Sequence, residues 1–391
     1  MYKIRLAKKI LKIILVAGAR PNFMKIAPLL KAIDQHNAKL SSTDPFIDTC
    51  LVHTGQHYDE NMSEVFFREL GLRPPDVNLE VGSGSHSYQT ATIMLRFEAV
   101  CLEQKPDWVV VVGDVNSTLA CSLVAAKLGI KVAHVEAGLR SFDRSMPEEI
   151  NRLVTDTLAD LLFTPSADAN ANLKREGIPT RKIKFVGNIM IDALISKLDE
   201  VEGSEIPEKL NLAPKKFVYV TLHRPSNVDR PENLRQIMNK LAKLSKKFPV
   251  VFPVHPRTRK MLEEISFCSN IYPQLKLIEP IGYTDSLWLA KNALFVLTDS
   301  GGLQEETTFF RTPCLTLREN TERPITITVG TNRLTSLKTL EADIKKILDG
   351  KYKRGAIPKY WDGKTAGRIV KYLVKEWKKE RADSYLRSVK S

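Results

Sequence analysis

Three acidic residues define the chemistry open to this chain: Asp114, Glu136 and Glu148, in the stretch VVVVGDVNSTLACSLVAAKLGIKVAHVEAGLRSFDRSMPEEINRLVTD, residues 109–156. Carboxylates placed at strand ends and at a helix start are candidate general acids and bases. A second constellation lies further along, where Asp299-Ser300-Gly301-Gly302 follows a buried run and Leu303-Gln304-Glu305-Glu306 enters a helix. Glycines there let a phosphate approach the backbone, and the helix amino end supplies unpaired N–H groups and a positive dipole. Arg20, Lys25 and Arg323 are cations able to pair with a diphosphate. His223 in LHRP and His255 in VHPR each end an apolar run, which places both where open sheets present functional groups.

The elements that must position these residues are legible around them. Residues 109–112 have the length and β-branching of a fully buried parallel strand, and Gly113 ends it with Asp114 at its tip. Asn116 or Ser117 is placed to cap the helix that follows. Lys131–Val135 breaks in the same way at Glu136-Ala137-Gly138, so Asp114 and Glu136 are expected on one sheet edge. Pro147 suits a first helical turn and puts Glu148 and Glu149 at its amino end.

Strands are expected at 10–16, 46–52, Trp108–Val112, Lys131–Val135, Leu161–Thr164 and 184–186, alternating with helical segments such as the one opened by Pro21. The polar segment 200–216, with Gly and two Pro, reads as a linker. A second alternation follows, with strands at 217–222, 250–254, Leu275–Ile278, 294–297 and Cys314–Leu317. The expected fold class is α/β, two Rossmann-like doubly wound parallel-sheet domains with a cleft between them, over 1–199 and 200–364. A terminal segment, 365–391, carries Ile369, Val370, Leu373, Val374 and Trp377 at helical spacing.

Composition narrows the function classes. The chain has 391 residues, is 43% hydrophobic and carries a formal net charge of +14, enough to build two cores and to favour an anionic partner. Basic residues are dispersed on Lys-rich helix faces without zinc-finger spacing or an aromatic-interleaved basic motif, which argues against nucleic acid. The last 26 residues hold the densest excess, eight Lys/Arg against three Asp/Glu. Five scattered cysteines give neither a disulfide framework nor a zinc pattern and suit a reducing cytoplasm. The amino-terminal ILKIILVAGA superficially resembles a signal peptide, but its apolar run is short and contains Lys12, so it reads as a first strand. No stretch approaches a membrane span of about 20 apolar residues, so no membrane partner is expected. His53 and His57 are four apart with Gly55 between them at a strand end, a poor metal pair. There is no G-x-G-x-x-G after the first strand and no G-x-x-x-x-G-K-[ST] anywhere, so neither a standard dinucleotide fingerprint nor a P-loop is present.

Taken together, Gly18-Ala19-Arg20-Pro21 with Lys25, Thr54-Gly55-Gln56-His57, Gly113-Asp114, His134-Val135-Glu136-Ala137-Gly138-Leu139-Arg140, Pro147-Glu148-Glu149 with Asn151-Arg152, Gly187-Asn188, His223-Arg224, Asp299-Ser300-Gly301-Gly302 with Glu305-Glu306, and Asn320-Thr321-Glu322-Arg323-Pro324 resemble the non-hydrolysing UDP-N-acetylglucosamine 2-epimerases. The resemblance spans nearly the whole chain. It implies a GT-B arrangement, with the nucleotide held mainly by the second domain and the carboxylates supplied mainly by the first, a homodimer, and a terminal helix that returns to the first domain. It implies no cofactor and no metal. Asp114, Glu136, Glu148 and His223 match catalytic positions; Arg20, Lys25, His223, Ser300, Gly301, Gly302, Glu306 and Arg323 match nucleotide contacts. Gln56, His57 and Arg152 match sugar or second-site contacts, and some bacterial relatives bind a second UDP-N-acetylglucosamine near the Gln-His motif.

The implied reaction explains the carboxylates. Carbon 2 of the sugar has no adjacent carbonyl to acidify its proton, so UDP is expelled from carbon 1 while a base takes that proton; UDP adds back to the resulting 2-acetamidoglucal after protonation from the other face. That route needs a base, an acid and a cationic cradle for departing UDP. A glycosyltransferase, a hydrolysing epimerase and a nucleotide-sugar sensor share parts of this pattern and stay open, as does a cap or salt-bridge role for each carboxylate. Asn22, Pro225-Ser226-Asn227 and Ile325 depart from the usual family residues near substrate motifs. Asn22 and Ile325 are neutral where acidic residues are common, which leaves a diacetamido uronate as an alternative sugar to N-acetylglucosamine.

Overall fold

The protein is described from a computed structural model over residues 9–55 and 71–390. The chain divides into two compact units, Met1–Ala193 with Tyr360–Ser391, and Leu194–Lys359.

The first unit is built on seven parallel strands: β1 Ile10–Ala17, β2 Phe46–His53, β3 Val77–Asn78, β4 Trp108–Val112, β5 Lys131–Val135, β6 Leu161–Thr164 and β7 Ile183–Phe185, in the order β3-β2-β1-β4-β5-β6-β7. Every residue of β4 is buried, as a Val-rich central strand covered on both faces requires. The strand order reverses between β1 and β4, which makes the carboxyl edge beside them the topological switch point. The helix Thr365–Lys390 belongs to this unit; it buries Ile369, Val370, Leu373, Val374 and Trp377, and its Thr365 and Ala366 amides donate to Asp192 at 3.1 and 2.8 Å.

The second unit repeats the plan with six parallel strands: β8 Val218–Thr221, β9 Val250–Pro253, β10 Leu275–Ile278, β11 Phe295–Thr298, β12 Cys314–Leu317 and β13 Asn332–Thr335, in the order β10-β9-β8-β11-β12-β13. Here the reversal falls between β8 and β11.

Two short strands, β3 and β13, had no expectation behind them. Neither carries an apolar run: in β13 the buried Asn332 is satisfied by side chains, donating to Gln304 Oε1 and Thr326 Oγ1 at 2.9 and 3.1 Å. The segment read as a linker, 200–216, instead takes part in the short helices Leu198–Glu202 and Ile206–Leu210, with Val201 and Ile206 buried. Two apolar anchors among polar neighbours suffice for single helical turns but leave little period in the sequence. No helix among the described residues is long and apolar enough to cross a membrane.

Candidate active site

In the first unit the site grows from three strand ends. Past β1, Asn22 accepts from the Gly18 and Ala19 amides at 3.0 and 2.9 Å and donates to the Val112 carbonyl at 3.1 Å, tying the end of β1 to the end of β4. The same helix, Arg20–Ala38, carries Lys25, whose ammonium is ion-paired with Glu136 Oε2; both groups are buried. A Cβ on Gly113 would stand 2.8 Å from Lys25 Nζ, so this position is held to glycine both by its φ of +70° and by the cation beside it. Glu136 itself has φ 72°, a left-handed backbone for a non-glycine residue, the kind of local strain that collects at functional sites. Its second oxygen, Oε1, is buried with no hydrogen-bond partner among the described residues.

Asp114 leaves the adjacent strand, since β4 and β5 pair through Val112 and Val135. Its Oδ2 accepts from Arg152 Nε at 3.0 Å and Nη2 at 2.5 Å, and its carbonyl from Asn151 Nδ2 at 2.9 Å. Arg152 Nη1 reaches back to Glu149 Oε2 at 2.7 Å. Glu149 is buried and also accepts from Ser141 N, Ser141 Oγ and Phe142 N at 2.9, 3.0 and 3.0 Å. Burial opposes its charge, but the Ser141 amide, the Arg152 guanidinium and the Phe142 amide prevail and hold its pKa below the ordinary value. Glu148, one residue earlier, is half-buried, and its carboxylate has no hydrogen bond or ion pair among the described residues, so neither a cap bond nor a salt bridge accounts for it.

The helix Pro147–Leu158 thus does more than present Glu148. Glu149, Arg152 and Asp156, spaced three and four apart, are all buried and line one face toward the strand ends. Sequence reading placed Glu149 but gave it and Asp156 no role; charged residues at helical period entering a core were the available signal. The capping expectation for Asn116 or Ser117 is corrected: Val115 is the cap residue, with no side-chain bond. Asn116 instead donates to Gln89 Oε1 at 2.9 Å and Ser117 Oγ meets Thr54 Oγ1 at 2.7 Å, because both side chains turn into the buried layer.

In the second unit, Asp299 at the end of β11 is fully buried and receives the His223 and Arg224 amides, Asn227 Nδ2 at 2.9 Å and His223 Nδ1 at 2.9 Å. Burial works against its charge, and the His223 ring outweighs that and holds its pKa low. Asp299 therefore brackets the turn that presents His223, whose own side chain is 57% exposed. Ser300 precedes the helix Gly301–Phe310, whose first-turn amides have no intrahelical partners. A Cβ on Gly301 would lie 2.7 Å from Arg323 Nη1, so the guanidinium packs directly over that turn. Arg323 pairs with Glu305 at 3.0 Å and with Glu322, and Glu322 is shared with Arg318 at 2.9 Å. His255 is exposed and its Nδ1 accepts from the Arg257 amide at 3.3 Å, a helix cap.

Glu306 is buried beneath the same turn, and burial, reinforced by the Glu305 charge, pushes its pKa from 4.5 up to about 7. With the folded-state value above the unfolded one, the unfolded chain binds fewer protons between these values. The stability attached to this group is therefore complete below 4.5 and lost as pH rises through 7. Glu306→Gln should remove that loss: its thermal midpoint relative to wild type rises between pH 5 and pH 8, and an offset independent of pH would contradict the assignment.

Other expected site residues fall elsewhere. Gln56 and His57 lie outside the described residues, as does the side chain of Arg20, whose backbone opens the helix Arg20–Ala38. His53 is buried against Phe23, ring centroids 5.1 Å apart, and burial lowers its pKa to about 4. Among the described residues no three His, Cys, Asp or Glu side chains gather as a metal site. Of the departures near substrate motifs, Asn22 and Asn227 are buried and committed to backbone and to Asp299, so both shape loops. Ile325 opens the helix Ile325–Thr328.

Comparison with known proteins places the chain in a family. The family model described as UDP-N-acetylglucosamine 2-epimerase matches residues 39–374. A UDP-N-acetylglucosamine 2-epimerase homolog of Methanococcus maripaludis is 47% identical, covering 83% of this chain and 88% of its own length. The UDP-2,3-diacetamido-2,3-dideoxy-D-glucuronate 2-epimerase of Pseudomonas aeruginosa is 40% identical, covering 93% and 100%. The crystal structure of the Methanocaldococcus jannaschii UDP-GlcNAc 2-epimerase in complex with UDP-GlcNAc and UDP superposes with a TM-score of 0.81 at 43% identity, covering 93% of this chain and 99% of that one.

Proposed function

The chain belongs to the UDP-N-acetylglucosamine 2-epimerase family, and from that premise we propose that it interconverts UDP-N-acetylglucosamine and UDP-N-acetylmannosamine by elimination and re-addition of UDP. A carboxylate takes the proton from carbon 2, the C–H electron pair becomes the carbon 1–carbon 2 double bond, and the carbon 1–oxygen bond breaks with its electrons on UDP. Protonation of the 2-acetamidoglucal at carbon 2 from the opposite face, with UDP returning to carbon 1, completes the inversion with no net oxidation. The observation that carries the reading is the buried Glu136, clamped by Lys25 through one oxygen while the other meets no protein partner among the described residues, next to Asp114 on the neighbouring strand end. A fixed carboxylate with one oxygen free suits proton transfer.

Asp114, Glu136 and Glu148 supply the base and acid, and His223 is the fourth catalytic group. Ser300, Gly301, Gly302 and Arg323 stabilise the departing diphosphate, Glu306 accepts from ribose hydroxyls, and Arg20 adds positive charge. Lys25 acts through Glu136, neutralising it when ionised. Gln56, His57 and Arg152 stay assigned to the sugar or a second nucleotide-sugar, Arg152 by way of Asp114.

An NMR time course with UDP-N-acetylglucosamine, with and without a sugar acceptor, tests this. Accumulation of UDP-N-acetylmannosamine is expected; free N-acetylmannosamine with UDP, transfer to the acceptor, or no turnover would each assign another class. The Pseudomonas relative, matched over its whole length, favours a second reading in which the substrate is a diacetamido uronate. Asn22 no longer argues for either sugar, since its amide is spent on backbone. Parallel assays decide: a much larger kcat/KM for the uronate would displace N-acetylglucosamine.

The assembly is a homodimer. On the helix His86–Gln104, Tyr88, Leu95 and Leu102 recur at seven-residue spacing and are 55, 74 and 59% exposed, an apolar seam of the kind helices bury against a second copy. Leu95→Glu should convert the dimer to monomer by light scattering; a monomeric wild type would overturn the assembly.

A further inference from the structure

Behind the proposed proton-transfer groups, the first unit buries a second set of charges that the reaction does not use. His134, the penultimate residue of β5, is fully buried, as is Asp156 on the helix Pro147–Leu158. The ring's Nδ1 lies 2.6 Å from Asp156 Oδ1 and its Nε2 lies 2.8 Å from the Gly113 carbonyl. Asp156 Oδ2 accepts from the Gly138 amide at 3.0 Å and pairs with Arg140 Nη2 at 2.7 Å; Arg140 in turn pairs with Glu176 at 2.6 Å.

A carbonyl oxygen can only accept, and so can an ionised carboxylate. Burial works against the charge of Asp156, but His134 and Arg140 prevail and keep its pKa below the ordinary value. Either neutral tautomer of the ring would therefore turn a lone pair toward an oxygen, an arrangement that is expensive in a buried site. Charge balance agrees. Arg140, Asp156 and Glu176 sum to one negative charge, and a second proton on the ring brings the cluster to neutrality.

We propose that His134 is held as an imidazolium by Asp156, and that this dyad is a positioning device for the two strand-end carboxylates. One ring nitrogen fixes the carbonyl of Gly113, immediately before Asp114. The carboxylate on the other nitrogen fixes the amide of Gly138, two residues after Glu136. One bridge thus sets both loops, and a shift of about 1 Å in either carboxylate is enough to cost roughly 100-fold in rate. The inference rests on the assignment of Asp114 and Glu136 to proton transfer.

Its test combines a substrate-free measurement with a pair of variants. Long-range 15N–1H NMR of the histidine-labelled wild-type protein should show one solvent-protected ring with both nitrogens protonated, a signal absent from His134→Asn. His134→Gln can extend an amide donor to the Gly113 carbonyl, whereas His134→Asn reaches only Asp156. Turnover should fall by about 100-fold in the asparagine variant and by about 10-fold or less in the glutamine variant, with KM for UDP-N-acetylglucosamine within about threefold in both. A neutral ring in the wild type would overturn the proposal, and needs no variant to fold. Wild-type turnover in a folded His134→Asn, or equal losses in both folded variants, would also overturn it. Failure of the functional reading looks different: the wild type would show the protonated ring but epimerise neither nucleotide-sugar.

Discussion

Replacing Glu136 by glutamine should lower turnover by about 100-fold or more while leaving the Kd for UDP within about threefold. The amide keeps the shape of the side chain and can still accept from Lys25, so the change removes the titrating group and little else. Asp114→Asn should behave alike, since Arg152 retains an oxygen to hold. UDP affinity survives because Ser300, Gly301, Gly302, Glu306 and Arg323, assigned to the nucleotide, lie in the other unit, and neither change removes Arg20. Isothermal titration with UDP and an NMR turnover assay separate the two effects; near-normal turnover in the Glu136 variant would return that carboxylate to a purely structural ion pair with Lys25. Because elimination and re-addition are separate steps, a partly active variant should also release UDP and the glucal.

Arg323→Met should weaken UDP binding by about 10- to 100-fold, the range expected when a charge-assisted contact to phosphate is lost. The guanidinium packs over Gly301 and is aimed by Glu305 and Glu322, so its loss also takes an ion-pair partner from two buried carboxylates and lowers the thermal midpoint. Arg323→Lys keeps the charge but not the planar fork, and should fall between the two. A Kd within twofold of wild type in the methionine variant would remove Arg323 from the phosphate site.

What the sequence revealed, and what it hid, follows the physics of each feature. β4 and β5 were legible because Val-rich runs ending at Gly113 and at Glu136-Ala137-Gly138 state both the strand and its exit. Pro147 announced its helix for a local reason as well, the fixed φ of proline. β13 was hidden because its buried positions are polar and satisfied by Gln304 and Thr326, contacts that only the fold brings together. The same holds within the site. Lys25 was read as a cation for the diphosphate, and its ion pair with Glu136, 111 residues away, could not be seen. Asn22 was read as a neutral neighbour of the sugar, but its amide is consumed by three backbone groups. Nor does a single chain's pattern say that Asp299 serves chiefly to hold the His223 turn, because that contact joins two strands across the switch point of the second sheet.

In the proposed reaction carbon 2 of the nucleotide-sugar loses its proton and regains one from the other face. Running the reaction in D2O and examining the product by NMR tests this most directly. Deuterium is expected at carbon 2 in UDP-N-acetylmannosamine from the first turnovers onward, whereas retention of the original hydrogen in all product would contradict the elimination route.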